Sequence, residues 1–111
     1  MVDLITVQQA NDHLRLDMES DDASPPDFSD DERFDEVTRK IEEATDIVVG
    51  YLKKPDHGWT TDTVPPRVRA AILLTLSAIW EDREGTGDGD YLRPDGAIAR
   101  LIVRDRDPAI A

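Results

Sequence analysis

Two histidines, His13 and His57, are the only side chains of this sequence that ordinarily titrate near neutral pH, and they stand in different segments. A lone imidazole with no second ligand or nucleophile at a set spacing supports neither metal binding nor acid–base catalysis. His13 reads as a surface residue near a helix end, and His57 as a turn residue. Asp88, Asp90 and Asp95 lie among glycines and offer the oxygen ligands that calcium prefers. The D-x-D-x-D-G spacing and the closing glutamate of a calcium loop are missing. Glu81, Asp82 and Glu84 offer paired carboxylates, but with Arg83 between them ion pairing is the stronger reading. Asp21, Asp22, Asp30 and Asp31 form a charge run, which reads as a solvated segment. With no cysteine there is no thiolate nucleophile, no disulfide and no cysteine metal site. P-loop, G-x-S-x-G, H-E-x-x-H and Rossmann glycine patterns are all missing. The expectation is a protein without catalysis, metal or cofactor.

Charge narrows the partners. Asp and Glu number 25 against 13 Lys and Arg, a net of −12. Ten acids and one base, Arg33, fall between Asp17 and Glu36, so this segment alone carries −9. Such a balance excludes binding nucleic acid by phosphate neutralisation. It fits a protein that lies beside DNA without holding it, or one that meets a basic partner surface. At 111 residues the chain reads as one domain. A chain of that size buries roughly 60–70% of its unfolded surface. Met1-Val2-Asp3-Leu4 does not begin a secretory signal, which predicts a place in a cytoplasm or in a particle assembled there.

The elements that position these residues read as helices. Leu4-Ile5 is an apolar lead-in, and Thr6-Val7-Gln8-Gln9 fits a capping box opening a helix to about Leu14. Leu16 tucks in after it. Met18–Phe28, with two prolines and no periodicity, reads as a mobile acidic loop. Ser29-Asp30-Asp31-Glu32 fits a second capping box. The helix it predicts runs to about Leu52, with Phe34, Val37, Ile41, Ala44, Val48 and Tyr51 as a heptad seam widened by Ile47 and Leu52. Gly50 weakens its last turn by roughly 1 kcal/mol relative to Ala. Lys53–Val64 is a connector with turn residues Pro55, Asp56 and Gly58, and Trp59 packs back over the bundle. Pro65–Glu84 is the central helix, with Pro66 suited to its first position. Val68, Ile72, Leu76 and Ile79/Trp80 share one face, while Ala71, Leu73, Leu74 and Ala78 make the helix apolar nearly all round. Such a helix needs cover on more than one side, yet its uncharged run, Ala70–Trp80, is far shorter than the roughly 20 residues of a membrane span. One side should pack on the seam. Another, near Ala70, Leu73 and Ser77, should lie under the terminal helix or a neighbouring subunit. A glycine turn at 85–90 leads to a last short helix with Ala97, Ile98, Leu101 and Ile102 as its apolar side, then a tail from Arg104 to Ala111. The fold class expected is an all-α bundle of about four helices, two long and two short.

This layout resembles a known family. A short capped helix ends in HLRLD (His13–Asp17), and an acidic irregular loop and a long helix follow. A proline-led apolar helix AILLTLSAIWEDRE (Ala71–Glu84) then leads to a terminal helix closing in RDRDPAIA (Arg104–Ala111). The combination resembles the head–tail connector (adaptor or head-completion) proteins of long-tailed double-stranded DNA phages, over nearly the whole chain. One departure is Trp80-Glu81-Asp82, where the family often carries Trp-Tyr-Glu.

The resemblance implies a structural virion protein: a ring of about a dozen copies under the portal, joined through heterologous contacts. Such a ring bridges the portal to the next connector, stopper or tail-completion protein, and DNA passes through its centre without specific binding. The family's C-terminal segment commonly reaches the portal. This implies portal contacts from Arg100, Arg104, Arg106, Asp107 and Ile110, while the second apolar side of the central helix makes Ala70, Leu73 and Ser77 the expected subunit contacts. Part of the acidic segment is expected to face the lumen. The main rival is a small acidic helical inhibitor or DNA mimic, which would share the net charge and the lack of a site. Other rivals are a small enzyme using Glu81 or Asp82 with His13, and a coiled-coil dimerisation module.

Overall fold

Four helices form in chain order: α1 (Val7–Leu14), α2 (Phe34–Leu52), α3 (Pro66–Glu81) and α4 (Ala97–Ile102). The structure, a computed structural model, describes residues 3–20, 26–53, 56–81 and 96–103. No strand occurs among them, and the protein is the all-α bundle expected, two helices long and two short. The tail at 104–111 and the glycine turn at 85–90 lie outside the described residues.

α2 and α3 form the spine. From α2, Val37, Ile41, Ala44 and Val48 of the seam are buried, as are Val49 and Leu52, while Phe34 and Tyr51 at its ends are half-buried. From α3, Val68, Ala71, Ile72, Leu76 and Ile79 are buried. α3 also packs on α4 and touches α1, so it is covered on more than one side, as its composition requires. Two threonines sit in this apolar layer and behave differently. Thr75 donates its hydroxyl to the Ala71 carbonyl at 2.8 Å, a bond along its own helix. Thr45 is fully buried, and its Oγ1 has no hydrogen-bond partner.

The ends of the elements follow local chemistry. At α1 the capping box forms: Thr6 Oγ1 accepts from the Gln9 N–H at 3.1 Å, and Gln9 Oε1 accepts from the Thr6 N–H at 2.9 Å. The helix stops at Arg15, whose backbone is left-handed (φ 54°). Leu4 and Ile5, expected as a lead-in, are core residues at 0% and 2% exposure. α3 begins at Pro66 as expected, with the Pro65 carbonyl accepting from Val68 and Arg69. Gly58 has φ +71°, a conformation that favours glycine in the connector, and the partly buried Trp59 packs back on the core as expected.

The second capping box does not form. α2 starts at Phe34, with Arg33 as its N-cap residue and no side-chain cap. Residues 29–33 make turns instead, because two aspartates take the backbone groups that a helix start would use. Asp27 accepts from the Ser29 N–H at 2.9 Å, and Asp31 accepts from the Arg33 N–H at 2.8 Å. These local aspartate turns compete directly with helix for the same donors. The helix is therefore 19 residues long, about 28 Å.

Candidate functional site

The sequence-nominated groups among the described residues have definite environments. His13 is exposed in the last turn of α1. His57 stacks on Trp59, with ring centroids 5.0 Å apart, and its Nδ1 accepts from the Trp59 N–H at 2.8 Å. That makes it a turn-building residue. Glu81 is exposed at the end of α3, while Asp82, Glu84, Asp88, Asp90 and Asp95 lie outside the described residues. Among the described residues no group of three His, Cys, Asp or Glu side chains could hold a metal ion. Nor is any helix there long and apolar enough to cross a membrane.

Of the portal-facing candidates, Arg100 is exposed on α4, and Arg104, Arg106, Asp107 and Ile110 lie outside the described residues. The subunit-contact candidates Ala70, Leu73 and Ser77 are all half-buried on α3. Beside them Leu74 is 41% exposed. Leu101 and Val103, at α4 and its end, are 37% and 54% exposed.

The acidic segment contains a feature that composition hides. Asp31, read as part of a solvated run, has a side chain only 6% exposed. Its Oδ2 accepts from the Glu19 N–H at 2.6 Å, and its Oδ1 from the Arg33 N–H and from Arg33 Nε at 3.2 Å. Arg33 Nη2 lies 3.4 Å from Asp31 Oδ2 and reaches the Asp17 carbonyl at 3.5 Å. One carboxylate and one guanidinium thus clasp residues 17–19 to residues 31–33. The Arg33 side chain, its backbone N–H and that of Glu19 together hold the Asp31 carboxyl down to about 2, and the same pairing raises Arg33. Asp17 has positive φ (51°), as Arg15 does, so the chain makes two left-handed residues on entering the clasp. Met18 and Phe28, the ends of the expected mobile loop, are buried at 6% and 7% exposure; residues 21–25 lie outside the described residues. Met18 N–H also donates to Asn11 Oδ1 at 3.0 Å. The signal available in sequence was aspartate two residues before arginine, an aspartate-turn spacing, but the partner at Glu19 is 12 residues away and has no local signature.

A groove of about 240 Å³ opens between the start of α1 and the segment returning from the acidic loop. Val7, Pro26, Phe28 and Phe34 make it apolar, Thr6 and Gln8 edge it, and Asp27 is the one ionised side chain lining it among the described residues. The Ser29 N–H, and then the Ser29 side chain, hold the Asp27 carboxyl below its usual value, so it stays charged. The clasp sits at the base of the same loop and fixes the wall that Pro26–Phe28 supplies. No sequence pattern announced this groove, because its walls come from three separate stretches. Among the described residues it offers shape and charge, with no imidazole or paired acid and base.

No family model, no curated protein and no solved structure matches this chain.

Proposed function

We propose that this chain is a structural assembly protein, a phage head–tail connector subunit. It forms a ring under the portal and bridges it to the next connector or tail-completion protein. The observation that carries the assembly reading is the apolar surface of the α3–α4 pair. All three large apolar side chains that stay exposed among the described residues, Leu74, Leu101 and Val103, belong to these helices or to the residue after them. Half-buried Ala70, Leu73 and Ser77 lie on the same α3 helix. Apolar surface concentrated on one helix pair supports association, and a ring uses two different faces of each subunit. The layout resemblance supplies the particular assembly.

Function in this reading is binding and geometry. Neighbouring copies cover the α3–α4 surface, and the C-terminal segment after α4 reaches the portal. Part of the acid-rich, base-poor segment 17–36 faces passing DNA without retaining it. The test is cryo-electron microscopy of the purified chain mixed with the portal protein from the same genome. A ring of copies seated on the portal is expected. Persistent monomers that leave the portal bare overturn the proposal.

One observation favours the rival reading of an acidic mimic. α2 displays Asp35, Glu42, Glu43 and Asp46 outward on a rigid helix, over about 16 Å. Release of duplex DNA from a basic DNA-binding protein by the purified chain would support the mimic over the connector.

A further inference from the structure

Two features of this chain pair apolar surface with charge of opposite sign. The first is the groove between α1 and the acidic segment, with an apolar lining and a charged Asp27. The second is the exposed edge of α4, where Arg100 stands beside Leu101 and Val103. We propose that the groove receives this α4 edge from a second copy of the chain, with Leu101 entering the apolar lining and Arg100 lying against Asp27. The inference rests on the assembly reading above and names the two faces that meet.

Size, charge and topology support it. At about 240 Å³ the groove is smaller than the roughly 300–1,000 Å³ of sites built for small molecules, and matches a side chain or two. The segment around it carries ten acids and one base, and that base, Arg33, is already bonded to Asp31. Asp30, Glu32 and Asp35 are exposed on the turns and helix start that follow. The stretch that supplies two of the groove's walls therefore carries a surplus of negative charge. The start of α1 contributes at most about half a positive charge to the same wall, less than the full charge of Asp27. An apolar side chain with arginine next to it meets both requirements, and Arg100-Leu101 is such a pair in exposed position. No groove residue comes from α3 or α4. Donor and acceptor faces therefore use separate elements, and each copy can give and receive at once. That is a heterologous contact, which closes into a ring when its rotation permits. The apolar insertion supplies affinity, and the charge pair sets orientation and makes association salt-sensitive.

The test places a photocrosslinking residue, p-benzoylphenylalanine, at Leu101 of the full chain. The protein is irradiated at high concentration, and adducts are mapped by mass spectrometry on mixed isotopic samples that separate inter- from intramolecular products. Expected are intermolecular adducts on Thr6–Gln8, Pro26–Phe28 or Phe34. The yield should fall about tenfold with Arg100→Glu, as for a central interface residue, and recover when the acceptor copy carries Asp27→Arg. Because Asp27 also holds a turn, a second acceptor variant, Gln8→Trp, fills the groove from the exposed start of α1 and should abolish the adducts. Adducts only within one chain, or on other surfaces of a neighbour, overturn the inference. So does equal competition by an unrelated Lys-Leu-Lys peptide and by a peptide of residues 96–103. A ring on the portal whose Leu101 adducts map elsewhere would sink this contact and leave the assembly reading standing. A bare portal would sink the assembly reading itself.

Discussion

The α2–α3 spine and the clasp at residues 15–33 are held by opposite means. In the spine, stability is spread over many interchangeable contacts: Val37, Ile41 and Val48 from one helix, Val68, Ile72 and Leu76 from the other, all essentially without solvent exposure. In the clasp it converges on one carboxylate, Asp31, which receives two backbone N–H groups and a guanidinium. Apolar burial has no direction, so the spine tolerates repacking. Hydrogen bonds to a nearly buried carboxylate are directional and leave orphans when the carboxylate is lost. The contrast also assigns roles. The spine gives rigidity, and the clasp ties together the ends of the loop that supplies one wall of the groove.

The largest expected effect tests the spine. Ile72→Ala should lower stability by about 2–5 kcal/mol, through lost burial and the cavity left behind. Urea denaturation would show it as a lower midpoint with one cooperative transition.

A local effect is expected from Asp31→Asn. It should speed hydrogen exchange at the Glu19 and Arg33 amides while exchange in the middle of α2 stays slow. Loss of protection in both places together would erase the distinction between the two regions. The sign with pH follows from the lowered Asp31 pKa. Between an unfolded value near 3.8 and the folded value of about 2, the unfolded chain binds more protons. The Asp31 contribution is thus fully present above about pH 4 and is lost as pH falls toward 2. Thermal melts across that range should show a steeper acid loss in the wild type than in Asp31→Asn.

The smallest effect is a gain within the spine. Thr45→Val replaces a buried hydroxyl that has no partner and should raise stability by about 1 kcal/mol. Thr75→Val, which removes a hydroxyl already bonded to the Ala71 carbonyl, should gain less. Denaturation midpoints at unchanged slope would rank the two.

Much of the fold was legible because periodicity records burial. The 3-4-3-4-3 spacing of Phe34–Tyr51 and the apolar run after Pro66 place both long helices and most of their buried faces. The α1 capping box was legible because its two partners are three residues apart. Ser29–Glu32 misled for the same reason. It has the spacing of a capping box, but Asp27 and Asp31 spend their oxygens on nearby N–H groups, and the turn wins over the helix. Leu4 and Ile5 carried too short a pattern to reveal that they are core.

The sequence by itself determined that this is an acidic, cysteine-free helical chain with an apolar central helix. Composition and period are properties of local stretches, so they survive without coordinates. Only the tertiary structure decided that Asp31 is a buried tie to Glu19, and that Val7, Pro26 and Phe34 share one groove. It also decided that, among the described residues, the large apolar side chains left exposed are on α3 and at α4. Each of these depends on residues brought together from distant positions, and one-dimensional spacing holds no record of such meetings.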